Sequence, residues 1–277
     1  MLVGSIPWTP DFKRTGVFHF GPAEIRAVPL ARVLGTPTVL KAATFGTVRD
    51  GWLIERLEHE FLTLDEVLTS IGIHKRVNRG QGYKVNGAGQ TDSPSDYFDL
   101  PVVTPDVFTP FRLKRRQLKK FEHRTLHRTR NRSIFRGPLL VCLKAGSDSG
   151  AERGRYSCAV YNSDVLYTQN FYGLSFGDAG LHLAHALSGI LNSSVASFQL
   201  AFGGPTWGLE RPTVEPHDLL SLRIPSLLSA DKRLLDAVVD AEKQAAADFE
   251  DKDNLHKLDE AVFDLYDLEV DERTLVR

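Results

Sequence analysis

Leu181-His182-Leu183-Ala184-His185-Ala186-Leu187-Ser188-Gly189-Ile190-Leu191-Asn192-Ser193-Ser194-Val195, and after it Gly203-Gly204-Pro205-Thr206-Trp207-Gly208-Leu209-Glu210-Arg211, form the stretch whose reading decides the fold. Leu181, Leu183, Ala184, Leu187, Ile190 and Leu191 recur at the i, i+3, i+4, i+7 spacing of a helix with one buried face. Asp178 stands where a capping residue would. The apolar pattern predicts that the helix runs on through Val195, Phe198 and Leu200 until Gly203-Gly204-Pro205 stops it. A Trp-Gly turn and a polar loop then lead to Leu219-Leu220-Ser221-Leu222-Arg223-Ile224-Pro225, which reads as a short buried strand ending at proline.

Upstream, Phe135 to Leu143 reads as a buried strand and Lys144 to Gly154 as a mobile loop. Arg155 to Val160 and Asp164 to Phe171 read as an antiparallel pair turning at Tyr161-Asn162-Ser163. Tyr161, Tyr167, Phe171 and Tyr172 fit core or cross-strand positions better than base-stacking ones. Downstream, Ser229 to Asp248 has a cap at Ser229 and an apolar face of Leu234, Leu235, Val238, Val239 and Ala245. Asn254 to Tyr266 repeats the pattern, so the two helices are expected to pair as a hairpin.

A helix carrying Leu191-Asn192-Ser193, a Gly/Trp loop, and then a strand ending Ile224-Pro225 resembles the target-recognition region that follows the catalytic domain in many adenine-specific DNA methyltransferases. Those enzymes belong to restriction-modification and related phage-defence systems. The ending Leu258-Asp259-Glu260-Ala261-Val262-Phe263-Asp264-Leu265-Tyr266-Asp267-Leu268 is similar to one such enzymes often carry. The resemblance covers 135–277 well and the first part loosely. It implies an α+β fold: a mixed or antiparallel sheet recognition domain with packed helices and a C-terminal helical hairpin. Residues 1–228 would be the recognition domain, with a division into 1–110 and 111–228 left open, and 229–277 the helical segment. Implied partners are double-stranded DNA and a separate methyltransferase catalytic chain or domain.

Charge is segregated along the chain. The 277 residues carry a net charge of −1, yet between Phe111 and Arg136 eleven Lys or Arg face one acid, Glu122, a local balance of +10. Residues 231–277 hold 15 acids against 7 bases, so the excess of acid sits at the other end. Such density in an otherwise acidic chain points to an anionic partner. Arg112, Lys114, Arg115, Arg116, Lys119, Lys120, Arg124, Arg128, Arg130 and Arg132 are therefore the expected phosphate contacts.

Thr63-Leu64-Asp65-Glu66 is a capping-box pattern that opens a helix over Leu64, Val67, Leu68 and Ile71, with Gly72 as its stop. The polar, glycine-rich run Asn78 to Gln90 follows. It is similar to loops that approach DNA in recognition-domain repeats, and Gln81, Tyr83, Lys84, Asn86 and Gln90 are its expected base readers. Gln and Asn can pair bidentately with adenine. The run lacks the Gly-Lys-Ser/Thr ending of a nucleotide-binding P-loop.

Prolines interrupt every periodic run in 1–49, which reads as short strands including Ala27 to Leu30 and Thr38 to Lys41. Gly51 to Ile54 is expected to continue them with Trp52 in the core; Trp8 is also read as a packing residue. Asp99 to Pro110 reads as an extended connector.

No catalytic constellation is visible. The chain has no Pro-Pro dipeptide, whereas an amino-methyltransferase holds its flipped base with an Asp/Asn/Ser-Pro-Pro-Tyr/Phe motif. A cofactor-binding glycine motif is missing too, and no cofactor or metal is expected. His182 and His185 have no third ligand and read as helix-surface residues. Ser193 and Ser194 lack the strained turn of a serine nucleophile, so Asn192, Ser193, Trp207 and Arg211 are taken as markers of the fold. Cys142 and Cys158 are expected to be buried thiols. With no spanning apolar run and no leader pattern, a cytoplasmic location without membrane contact is expected. Two other readings stay open: a nuclease or other nucleic-acid enzyme with an unrecognised site, and a protein-interaction module of a defence complex working through the acidic helical end.

Overall fold

The computed structural model describes residues 2–4, 25–27, 41, 46–113, 115–144, 155–203 and 213–277. Strands β1 (Leu2–Gly4) and β2 (Ile25–Ala27) pair antiparallel. Helix α1 (Val48–Glu60), strand β3 (Leu62–Thr63) and helix α2 (Leu64–Ser70) follow. Short strands succeed one another: β4 (Arg79–Gln81), β5 (Thr91–Asp92), β6 (Pro101–Val103), β7 (Phe111–Arg112), β8 (Lys119–Lys120) and β9 (Thr125–Leu126). Then come β10 (Leu139–Leu143), β11 (Cys158–Tyr161), β12 (Leu166–Tyr167) and β13 (Phe171–Ser175). The remainder is mostly helical: α3 (Gly180–Leu191), α4 (Ser194–Gly203), α5 (Pro216–Leu220), β14 (Arg223–Ile224), α6 (Lys232–Ala247), α7 (Lys252–Leu265) and α8 (Val270–Val276). The fold is α+β, with mixed sheets and C-terminal helices.

A five-stranded sheet in the order β4-β13-β10-β11-β7 divides the molecule, antiparallel except where β7 runs parallel to β11. Side chains on a strand alternate faces, so β10 serves two cores. Leu140 and Cys142 join Cys158, Val160, Tyr172 and Leu174 under the helices. Leu139 and Val141 join Ala159, Tyr161 and Phe171 under a layer of small strands. Burial on both faces explains why 139–143 is an unbroken apolar run.

The helical layer follows the predicted periodicity with one correction. Instead of one continuous helix, the chain breaks at Asn192-Ser193 between α3 and α4. Asn192 leaves the helical pattern to act as a strand partner: its Oδ1 accepts the Cys158 N–H at 3.0 Å and its Nδ2 donates to the Cys158 carbonyl at 3.1 Å. Ser194 N–H donates to Asp259 Oδ1 at 2.8 Å, which starts α4. Helices α6 and α7 form the expected hairpin, burying Leu235, Val238, Val239, Leu258 and Val262, each worth roughly 1.5–3 kcal/mol. α3 crosses α6 at Gly189, where a Cβ would lie 2.7 Å from Val238.

Other expectations need revision. Residues 51–54 belong to α1, and Trp52 is 57% exposed; the Thr47/Asp50 capping box starts a helix whose buried positions are Leu53, Ile54 and Leu57. β11 and β13 do not pair with each other, because β10 lies between them. From Asp164 to Tyr167 only Leu166–Tyr167 is strand, and it pairs parallel with β6, so the 99–110 connector also contributes a strand. Of the 219–225 run only Arg223–Ile224 is strand, against β3, since Pro216 opens α5. Asp178 lies in a 3-10 turn and does not cap α3; Asp231, not Ser229, caps α6. The Thr63/Glu66 box on α2 and the buried free thiols of Cys142 and Cys158 are as expected. Trp8, Lys114, all of 145–154 and the 204–211 motif with Trp207 and Arg211 lie outside the described residues, as do most of the expected strands before residue 41.

Candidate nucleic-acid interface

Two groups selected from the sequence meet at the edge of the central sheet. The chain leaves β4 through Gly82, where any Cβ would sit 2.0 Å from the Tyr167 carbonyl oxygen, so only glycine permits this approach. Lys84 then exchanges backbone hydrogen bonds with Arg128, Lys84 N–H to Arg128 O at 3.0 Å and Arg128 N–H to Lys84 O at 3.1 Å. The Val85 carbonyl accepts from His127 N–H at 3.1 Å, and Gln90 Oε1 accepts from the Thr125 hydroxyl at 2.6 Å. Residues 84–90 thus lie along 124–128, with Asn86, Gln90 and Arg124 exposed.

Tyr83 is a correction. Only 1% exposed, it packs edge-on to Phe121 with centroids 5.4 Å apart, and burial pushes its phenol up to about 12. Such a ring supplies core packing rather than an edge for a base. Tyr97 lies in the same cluster; its hydroxyl donates to the Arg130 carbonyl at 2.5 Å and accepts the Arg130 N–H at 2.9 Å.

The cations of the tract divide into two kinds. Arg128 Nη2 donates to Gln81 Oε1 at 3.2 Å, Arg130 Nε to the Gln81 carbonyl at 2.8 Å, and Gln81 Nε2 to the Gln169 carbonyl at 2.8 Å. Gln81 is therefore engaged as an orienting group. Arg132 spans Asp164, at 2.6 Å, and the Asp96 carbonyl, at 2.8 Å. Lys120 meets Asp99 at 2.9 Å in an exposed pair of the kind that contributes little. Arg112, Arg116, Lys119, Arg124 and Arg136 are exposed and make no ion pair among the described residues. They do not all lie at the β4 edge. Arg112 lies on β7, the opposite sheet edge from Gln81, and four strand spacings separate them by about 19 Å. Arg115 opens a 3-10 turn, Arg115–Gln117.

Beside β4 lies a cleft of 720 Å³ that the sequence reading missed. Lys75, Arg76, Arg79, Arg130 and His217 line it, with Gln81, Asn131 and Tyr172, and no acid lines it among the described residues. Arg79 is 3% exposed; its Nη2 pairs with Asp65 at 2.5 Å, while Nε and Nη1 have no partner among the described residues. Burial, then the neighbouring Arg128 guanidinium, pull Arg130 below its ordinary value. The signal was in the sequence: three cations within Lys75-Arg76-Val77-Asn78-Arg79, immediately before the glycine-rich run.

The two histidines of α3 have carboxylate partners. His182 meets Asp236 at 2.8 Å in the open, but His185 reaches inward to Glu242 at 2.7 Å, so it is not a surface residue. No cluster of three or more His, Cys, Asp or Glu suited to a metal occurs among the described residues, and no helix among them is long and apolar enough to cross a membrane.

No protein-family model and no curated protein matches the chain. Among solved structures it is similar to the Type IIL restriction-modification enzyme MmeI in complex with DNA, at 12% identity and a TM-score of 0.30. The match covers 49% of this chain and 19% of that one, so this chain spans about a fifth of that enzyme.

Proposed function

We propose that the chain recognises double-stranded DNA as the specificity part of an adenine-specific DNA methyltransferase or related defence complex whose catalytic chain or domain is separate. In this reading residues 1–228 form the recognition domain and 229–277 a helical segment that contacts the partner. The observation that carries the DNA part is the juxtaposition of the 84–90 loop with the exposed cations around 124. Phosphate contacts position a protein on a duplex and base contacts specify the sequence. The exposed Lys119 and Arg124 suit the first role; Asn86 and Gln90, exposed on the loop that runs along 124–128, suit the second. The methyltransferase part rests on the sequence resemblance.

Selection from a pool of randomised duplexes tests the reading. Enrichment of a defined sequence is expected, and Asn86→Ala or Gln90→Ala should relax preference at individual base pairs by about 1–3 kcal/mol. Lys119→Gln with Arg124→Gln should weaken all sequences alike. A pool that emerges unenriched would refute sequence recognition by this chain.

A further inference from the structure

We propose that the cleft between β4 and α5 is a phosphate-binding site, built to take a phosphate mono- or diester. Four cations from two stretches of the chain, Lys75, Arg76 and Arg79 from the turn into β4 and Arg130 from beyond β9, converge on one concavity that no acid lines among the described residues. Like charges gathered in a partly desolvated space repel one another unless an anion offsets them. Asp65 pairs with only one nitrogen of the buried Arg79, and it is itself 55% exposed. The remaining Arg79 donors, Nε and Nη1, are buried without partners among the described residues, which is costly and leaves the guanidinium charge on the cleft wall only partly compensated by Asp65.

Local backbone supports a built site. Arg76 holds φ +65°, in the left-handed region that a long side chain rarely adopts. The turn is pinned by the Asn78 side chain, which accepts the His74 N–H at 2.5 Å and donates to the Gly72 carbonyl at 3.0 Å. Strain of this kind persists where the surroundings impose it and concentrates at ligand clamps. A volume of 720 Å³ is the size of a small-molecule pocket, with room for more than a bare ion. The Asn131 amide and Tyr172 phenol on its wall offer polar contacts to the rest of the ligand.

Two sources share this chemistry: a free mononucleotide, and a phosphate of the DNA backbone. The second rests on the DNA reading above and the first does not. Calorimetric titration of the full chain with inorganic phosphate, with thymidine 5′-monophosphate and with a random-sequence duplex separates them. Saturable binding is expected, at least about tenfold weaker in Arg76→Gln, an exposed position whose replacement should leave the fold intact by circular dichroism. Asp65→Asn should tighten binding by removing the competing carboxylate. Arg76-dependent binding of phosphate or nucleotide assigns the free ligand; Arg76-dependent binding of the duplex alone assigns DNA. If no probe depends on Arg76, the cleft assignment is overturned, even where Lys119→Gln with Arg124→Gln still weakens the duplex and so preserves the DNA reading. Phosphate binding without any duplex binding would preserve the cleft and overturn the DNA reading.

Discussion

Asn192 on the helical side of the central sheet and Arg79 on its far edge are both buried polar residues, and their surroundings differ in kind. Asn192 bonds to the backbone of Cys158 through both ends of its amide. Nearby, Glu242, fully buried, accepts from the Ser188 hydroxyl and meets His185, each at 2.7 Å. Asp259 takes Arg155 and the Ser194 N–H. Arg56 Nε and the Ser194 hydroxyl are orphaned on that side too, yet the Arg56 Nη atoms meet Glu60 and Glu272 and the Ser194 N–H meets Asp259. Along the β4 edge, Arg79 Nε and Nη1 and Arg128 Nε are left without partners among the described residues. Carboxylates and amides with several partners hold the helices to the sheet, whereas the β4 edge keeps guanidinium donors without acceptors among the described residues.

The largest effect should come from Asp259→Ala. It strands Arg155 and removes the acceptor for Ser194, so unfolding free energy in urea should fall by about 3–5 kcal/mol. A loss below about 1 kcal/mol would dissolve the contrast. Next, Asn192→Ala should cost roughly 1–3 kcal/mol by leaving the Cys158 N–H unmatched, measured the same way. On the cationic side, Lys119→Gln with Arg124→Gln should change stability by no more than about 0.5 kcal/mol each, since both side chains are exposed. A substantial destabilisation there would mean these cations are structural after all.

The smallest effect concerns Glu66, whose carboxylate the Thr63 hydroxyl and N–H hold below the ordinary value. A lowered folded pKa means its contribution is present above the ordinary carboxylate pKa and lost as pH falls through the lowered one. A carboxyl NMR titration should place the Glu66 midpoint below that of a free glutamate, and Thr63→Ala should return it part of the way, since the backbone N–H still donates; an unshifted midpoint would remove the capping role.

The helical half was the more legible because helix periodicity is a local property. Leu187, Ile190, Val238, Leu258 and Val262 advertise their burial by spacing alone. The break at Asn192 was not legible, since its cause is a strand residue, Cys158, 34 positions away. Two- and three-residue strands such as β4, β8 and β9 are too short to show alternation, so the cationic layer read as loop and charge run. Trp52 was misplaced because a large aromatic was equated with core, while the Thr47/Asp50 cap in the same stretch passed unread. Among site residues, the 111–136 tract was visible as composition; its division between Arg128, Arg130 and Arg132, which hold backbone and side chains, and Lys119 and Arg124, which face outward, depends on tertiary partners.

The most direct test of that division is the affinity of the chain for labelled random-sequence duplex as salt rises from about 50 to 200 mM. The account predicts a linear fall of log affinity with log salt, with a slope shallower by about 0.9 for each phosphate-contacting cation neutralised among Arg116, Lys119 and Arg124. Absence of binding even at the lowest salt, or a slope unchanged in the triple variant, would contradict it.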